Sequence, residues 1–155
     1  MDKENFIALF SRDIAKLRSE IAQYPSEESL WVLLPGTLNS GGNLAQHLAG
    51  NLRTYIGLTL GGFAYVRDRD AEFSARRFSG IELMEELDLT LQTVIGTLEE
   101  ITSEKLQSEY PKEVLDLFPG QNVSLILHHL HGHLSYHLGQ INYHRRWISQ
   151  TLKSL

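Results

Sequence analysis

The sequence has no cysteine. That excludes a disulfide, a thiolate nucleophile and a Cys ligand for a metal. Any metal must then sit on imidazole, carboxylate and water, donors that suit Zn, Ni, Fe or Mn better than a soft-metal site. The chain also lacks an apolar run long enough to span a bilayer, so no membrane partner is expected. Its opening MDKENF lacks the basic-then-apolar order of a signal peptide, which makes the cytoplasm the default compartment. A basic excess is missing too. Lys and Arg total 14 against 19 Asp and Glu, a formal charge of -5, which argues against a nucleic-acid backbone or an anionic membrane as partner. There is no internal repeat, low-complexity tract, Gly-rich phosphate loop or strand pattern of useful length.

What is present reads as one globular domain over 1–155, with 42% hydrophobic and 21% charged residues and enough length to bury a core. Residues 2–24 carry Phe6, Ile7, Phe10, Ile14, Leu17 and Ile21 at threes and fours, an amphipathic helix ended by Pro25. Residues 25–42 hold two prolines and three glycines and are expected to form a loop, with Trp31 as a packing plug. A second helix is expected over 43–61, capped by Asn43, with Leu44, Leu48, Leu52 and Tyr55 on its apolar stripe and His47 beside it. Residues 61–78 are expected to be loop, their alternating charges forming a solvated ladder. Ser79 and Glu82 fit a capping box opening a third long helix to about Ile101. A connection over 103–121, with a helical turn at 114–118, precedes a long helix starting near Asn122. Four amphipathic helices imply an all-α fold, an up-and-down-type four-helix bundle with long interhelical loops.

The last helix concentrates the chemistry. Six of the seven histidines fall between Leu127 and Arg146. The segment contains no proline, so it is expected to run as one helix of about 30 residues and ~45 Å. His129, His133 and His137 are spaced i, i+4, i+8 and stack on one stripe, which His144 rejoins, while His128 and His131 point roughly the other way. Two histidines one turn apart can place both imidazoles on one ion, because the helix fixes their separation in advance. The competing explanation is a buried network of polar histidines. The stripe also holds Ile126, Leu130 and Ile141 and should face the core, where unpartnered imidazoles are costly. With His47 brought alongside, any two of the three complete a three-histidine set. Spacing alone does not choose the pair.

The run His129-x-x-x-His133-x-x-Tyr136-His137-x-Gly139-Gln140, with a lone histidine on the second helix, resembles the DinB/YfiT-like superfamily. The segments Asn39-Ser40 through His47-Leu-Ala-Gly-Asn51 and Arg67-Asp-Arg-Asp-Ala-Glu72-Phe73 are similar to a bacterial subfamily of it without assigned function. The resemblance implies a four-helix bundle, often dimeric, that binds a divalent metal with one residue of the second helix and two of the fourth. Carried over, the ligands are His47, His133 and His137, with His129, Asn51 and Gln140 supporting them. The arginine common after the last ligand is here Leu138. Characterised relatives include transferases and isomerases using bacillithiol, mycothiol or glutathione, and some members carry a hydrolase assignment.

Three neutral protein ligands leave a position open for chemistry, whereas a closed four-ligand site is structural. Since the chain has no cysteine, thiol chemistry needs a small thiol cosubstrate, which attacks a small electrophile. Arg67, Arg69 and Arg145 are candidate contacts for an anionic cosubstrate. The alternatives are a metal-dependent hydrolase of an amide or ester, and a non-catalytic metal-binding bundle. No Glu stands beside His133 or His137 as it does in H-E-x-x-H proteases. Leu125, Leu134 and Trp147 are the apolar positions available for a homodimer.

Overall fold

Phe6, Phe10, Ile14, Leu17 and Ile21 all lie buried on one face of α1 (Lys3–Ala22), as their spacing requires. The computed structural model describes residues 2–153. After α1, a 3-10 turn (Glu28–Trp31) buries Trp31. Helix α2 (Gly41–Leu52) continues through a π-helical stretch (Arg53–Leu58) and a last turn (Thr59–Gly61). Then come α3 (Arg69–Ser74), α4 (Gly80–Glu100), α5 (Ser103–Gln107) and α6 (Val123–Lys153). Among the described residues there is no strand, only an isolated antiparallel bridge between Glu109 and Asn122. The fold is all-α.

The long helices α1, α2, α4 and α6 share one core, in which Leu48 and Leu52 of α2 join Leu83, Leu87 and Leu98 of α4 and Leu130, Leu134 and Ile141 of α6. Each fully buried side chain of this kind contributes about 1.5–3 kcal/mol. Cross-helix pairs give the directions. Lys3 reaches the Glu99 carbonyl and Arg18 pairs with Asp88, so α1 and α4 are antiparallel. Arg53 pairs with Glu86, Gly57 backs onto Thr93 and Gly61 onto Thr97, so α2 and α4 run the same way. The strict alternation of an up-and-down arrangement is therefore not what forms. The physical reason is the connection over residues 62–79, long enough to travel back along the whole of α2 before α4 begins.

Other expectations change in detail. Ser40, not Asn43, caps α2, accepting from the Asn43 N–H at 3.1 Å. Asn43 is freed to donate its amide to the Glu72 and Ala75 carbonyls. The 61–78 segment contains α3, capped by Asp68. In the next connection the helix is Ser103–Gln107 and none forms at 114–118. Leu134, considered for a dimer surface, is core. The capping box stands: Ser79 Oγ accepts from Glu82 N–H, and Glu82 accepts from Ser79 N–H.

α1 and α6 meet through a polar seam. The buried Asp13 carboxylate accepts from Arg12 at 2.7 Å, His131 Nε2 at 2.8 Å and Ser135 Oγ at 3.3 Å. One turn-pair along, Glu20 accepts from Asn142 and Arg145. Burial pushes the Asp13 carboxyl up, but the hydrogen bonds and charges of Arg12 and His131 outweigh it and hold it below the ordinary value. A carboxyl depressed in the folded state stabilises above its unfolded pKa, and that contribution is lost as pH falls through the folded one. Asp13→Asn is therefore expected to cost about 1–3 kcal/mol in urea unfolding at neutral pH, with the gap to wild type closing below about pH 4. An equal gap at both pH values would show that the ionised carboxylate is not the source.

Candidate metal centre

His47 projects from α2 toward α6 and is buried. Its Nδ1 lies 3.0 Å from Glu72 Oε2. Glu72 is fully buried and is gripped by Arg67 through Nε to Oε1 at 2.8 Å and Nη2 to Oε2 at 3.0 Å. Burial alone would raise the Glu72 pKa, but the His47 and Arg67 hydrogen bonds and the Arg67 charge hold it below the usual carboxylate range. An ionised carboxylate only accepts, so His47 carries its proton on Nδ1 and presents the Nε2 lone pair to α6.

That lone pair meets His133 Nε2 at 3.1 Å. The ring of His137 stands 4.6 Å from that of His133 and 5.4 Å from that of His47, near perpendicular to both. His137 Nδ1 donates to Gln140 Oε1 at 2.6 Å, which likewise turns Nε2 into the free nitrogen. One ligand nitrogen from each of the three lies within 4.8 Å of the others. Two nitrogens bound tetrahedrally to a zinc-sized ion sit about 3.3 Å apart, so the 3.1 Å spacing is of the correct scale. Burial, with the neighbouring His137 and His47, pushes His133 down to about 4. Burial lowers His137 as well. Both are thus neutral at neutral pH, the state that metal ligation would demand. The donor set fits a divalent cation. His133 Nδ1 is buried without a partner among the described residues.

The other candidates divide. His129 is exposed on the same side of α6, its ring stacked 6.4 Å from His133 and edge-on to Phe118, and it stands outside the convergent group. Asn51 is buried one turn beyond His47 with its Oδ1 unpartnered. His144 leaves the stripe altogether, lying 2.7 Å from both the Tyr24 hydroxyl and the Val32 carbonyl. Arg67 is committed to Glu72 and Arg145 to Glu20. Arg69 is exposed and sits 5.7 Å over the ring of Phe73, which itself packs on His47.

Sequence reasoning missed the role of Glu72, which reads as one charge in a surface ladder. It also missed Gly50. A Cβ there would come within 1.9 Å of Glu72 Oε1 and 3.3 Å of Arg67 Nε, so only glycine lets the carboxylate reach His47 against α2. A glycine in a helix three residues after a histidine was the available signal.

Fold and site together define an all-helical protein with three convergent imidazoles suited to a divalent ion. The chain belongs to the family described as "protein of unknown function (DUF1572)", whose model matches residues 4–154 and so spans every residue of the group. No curated protein and no solved structure matches it.

A carboxylate bonded to the far nitrogen of a ligating histidine typically carries 10–100-fold in metal affinity. Glu72→Gln is expected to weaken Zn(II) binding by about that factor in a chelator competition titration. Gly50→Ala is expected to do the same while also costing about 1–3 kcal/mol of stability. Wild-type affinity in Glu72→Gln would remove the relay from Arg67 through Glu72 to His47.

Proposed function

We propose that this chain is a divalent-metal protein of the DinB/YfiT type, its four long helices forming that superfamily's bundle. In this reading His47, His133 and His137 hold the ion, and a low-molecular-weight thiol is activated there for transfer to a small electrophile. The observation that carries the reading is the convergence of three imidazole nitrogens, with no Asp, Glu or further His joining the group among the described residues. A divalent ion on three neutral ligands keeps its full charge and lowers the pKa of a thiol or water that it binds. The protein's own residues preorganise the donors. Glu72 and Arg67 set the His47 tautomer, Gln140 sets that of His137, and burial keeps His133 uncharged. The thiol must come from outside, since the chain has none.

A transferase is preferred to a hydrolase of an amide or ester because hydrolysis asks for a general base. The carboxylate bonded to the group, Glu72, accepts from Arg67 on both oxygens and from His47 Nδ1 and is held ionised by them, so it is committed to positioning His47. A homodimer belongs to the same reading through the resemblance, with half-exposed Leu125 and Trp147 as its remaining apolar contacts.

Elemental analysis of untagged protein is expected to find near-stoichiometric Zn, Ni, Fe or Mn in wild type and His129→Ala, and none in His47→Ala, His133→Ala or His137→Ala. Retention of metal by the last three would sink the assignment. Addition of glutathione or bacillithiol to the Co(II)-substituted protein should shift its visible bands. An unchanged spectrum with both thiols would leave a metal protein without the transferase role.

A further inference from the structure

A cleft of about 670 Å³ opens between the loop preceding α2 and the C-terminal half of α6. His137 and Gln140 are among its lining residues, so the cleft adjoins the three-histidine group directly. Its walls include Leu38, Leu44, Tyr143 and Trp147, and among the described residues no Lys, Arg, Asp or Glu lines it. Leu38 is 91% exposed and Tyr143 79%, an unusual apolar display beside a candidate reaction centre. The loop is preformed. Pro35 and Gly36 occupy the middle of a turn in which Thr37 N–H donates to the Leu34 carbonyl at 3.0 Å, and Gly36 supplies the φ of +79° that such a turn needs.

The volume falls in the range of about 300–1,000 Å³ typical of small-ligand sites. Along the Leu38–Trp147 part of the cleft, away from the histidine group, a charged ligand would lose hydration without meeting a charged side chain among the described residues. The candidate arginines Arg67, Arg69 and Arg145 are absent from the lining, Arg67 being bound to Glu72 and Arg145 to Glu20. An uncharged ligand loses little and gains apolar contact on both walls.

We propose that the substrate taken by this site is an uncharged organic molecule whose aromatic or aliphatic body lies in this cleft, with one polar group directed to His137 and Gln140. Its meaning as a substrate rests on the metal-centre reading above, but its binding does not. In that reading the cleft selects the electrophile.

The test uses two fluorescent probes with the same aromatic body. N-phenyl-1-naphthylamine is neutral, and 8-anilinonaphthalene-1-sulfonate carries a sulfonate. Titrations of the full chain are expected to show the neutral probe binding at least about tenfold more tightly. Leu38→Glu and Tyr143→Glu, at exposed positions where the fold tolerates change, should each weaken it by about tenfold or more while leaving metal content as in wild type. His47→Ala should lose the metal and keep the neutral probe. Binding of the neutral probe by a wild type that holds no metal would uphold the cleft while the metal reading falls. The proposal is overturned by equal or tighter binding of the sulfonate, or by wild-type probe affinity in both variants. It is equally overturned if sedimentation shows a dimer that excludes the probe and dissociates in Leu38→Glu, since a second copy is then the occupant.

Discussion

The carboxylate of Glu72, buried between Arg67 and His47, is the constraint on which the arrangement of this protein turns. A buried charge is tolerated only when its lone pairs are filled by well-placed donors. Here two come from Arg67 and one from His47. To deliver Glu72, the connection over 62–79 must run back along α2, and its course is pinned by Asn43 and Gln46, whose amides hold the Glu72 and Ala75 carbonyls. That return path is also what sets α4 running in the same direction as α2. Gly50 clears the space where the carboxylate meets the helix. The orientation of a single imidazole is thus coupled to the topology of the chain.

The histidines of α6 illustrate how one residue type acquires different chemistry from what it faces. His128 bonds the Ser124 carbonyl and packs edge-on to Phe6, and His131 binds the buried carboxylate of Asp13, so these two fasten α6 to α1. His144 ties the far end of α6 to Tyr24 and to the Val32 carbonyl. His133 and His137 turn to α2, where they meet the lone pair of His47 rather than a carboxylate or carbonyl. Their company there is other imidazoles, which add to burial in lowering the pKa of His133 and bring the Nε2 atoms of His47 and His133 to 3.1 Å. The arrangement is a poor one for a purely structural network, because His133 Nδ1 is buried without a partner among the described residues. With a cation among them the same geometry becomes favourable. The polar seam on the α1 side, by contrast, is satisfied by protein groups alone.

Local pattern made much of this molecule legible. The threes and fours of Phe6 through Ile21 required α1, the Ser79–Glu82 box placed the start of α4, and the absence of proline after Pro119 let α6 run for 31 residues. These signals are short-range, written by residues within one or two turns of each other. The short helices α3 and α5 escaped notice because five or six residues carry too little periodicity to rise above loop composition. The cap of α2 was misplaced for a related reason: two glycines after Ser40 look like loop until Asn43 is seen bonding the crossover segment.

The sequence by itself determined that the chain is helical, that any metal site must be built on imidazole and oxygen, and that α6 would align histidines one turn apart. It also marked His47 as the outlying member, because no other histidine precedes α6. Spacing left the pair open and the resemblance pointed to His133 and His137; that their rings converge on His47 while His129 stands outside the group depends on the register of α2 against α6, which the tertiary structure sets. Only it, too, turned Glu72 and Arg67 from surface charges into a buried pair, and set α2 and α4 running in one direction. The reason is common to all three. Each depends on groups far apart in the chain being brought within about 3 Å, the range over which hydrogen bonds act, and no local periodicity encodes that separation.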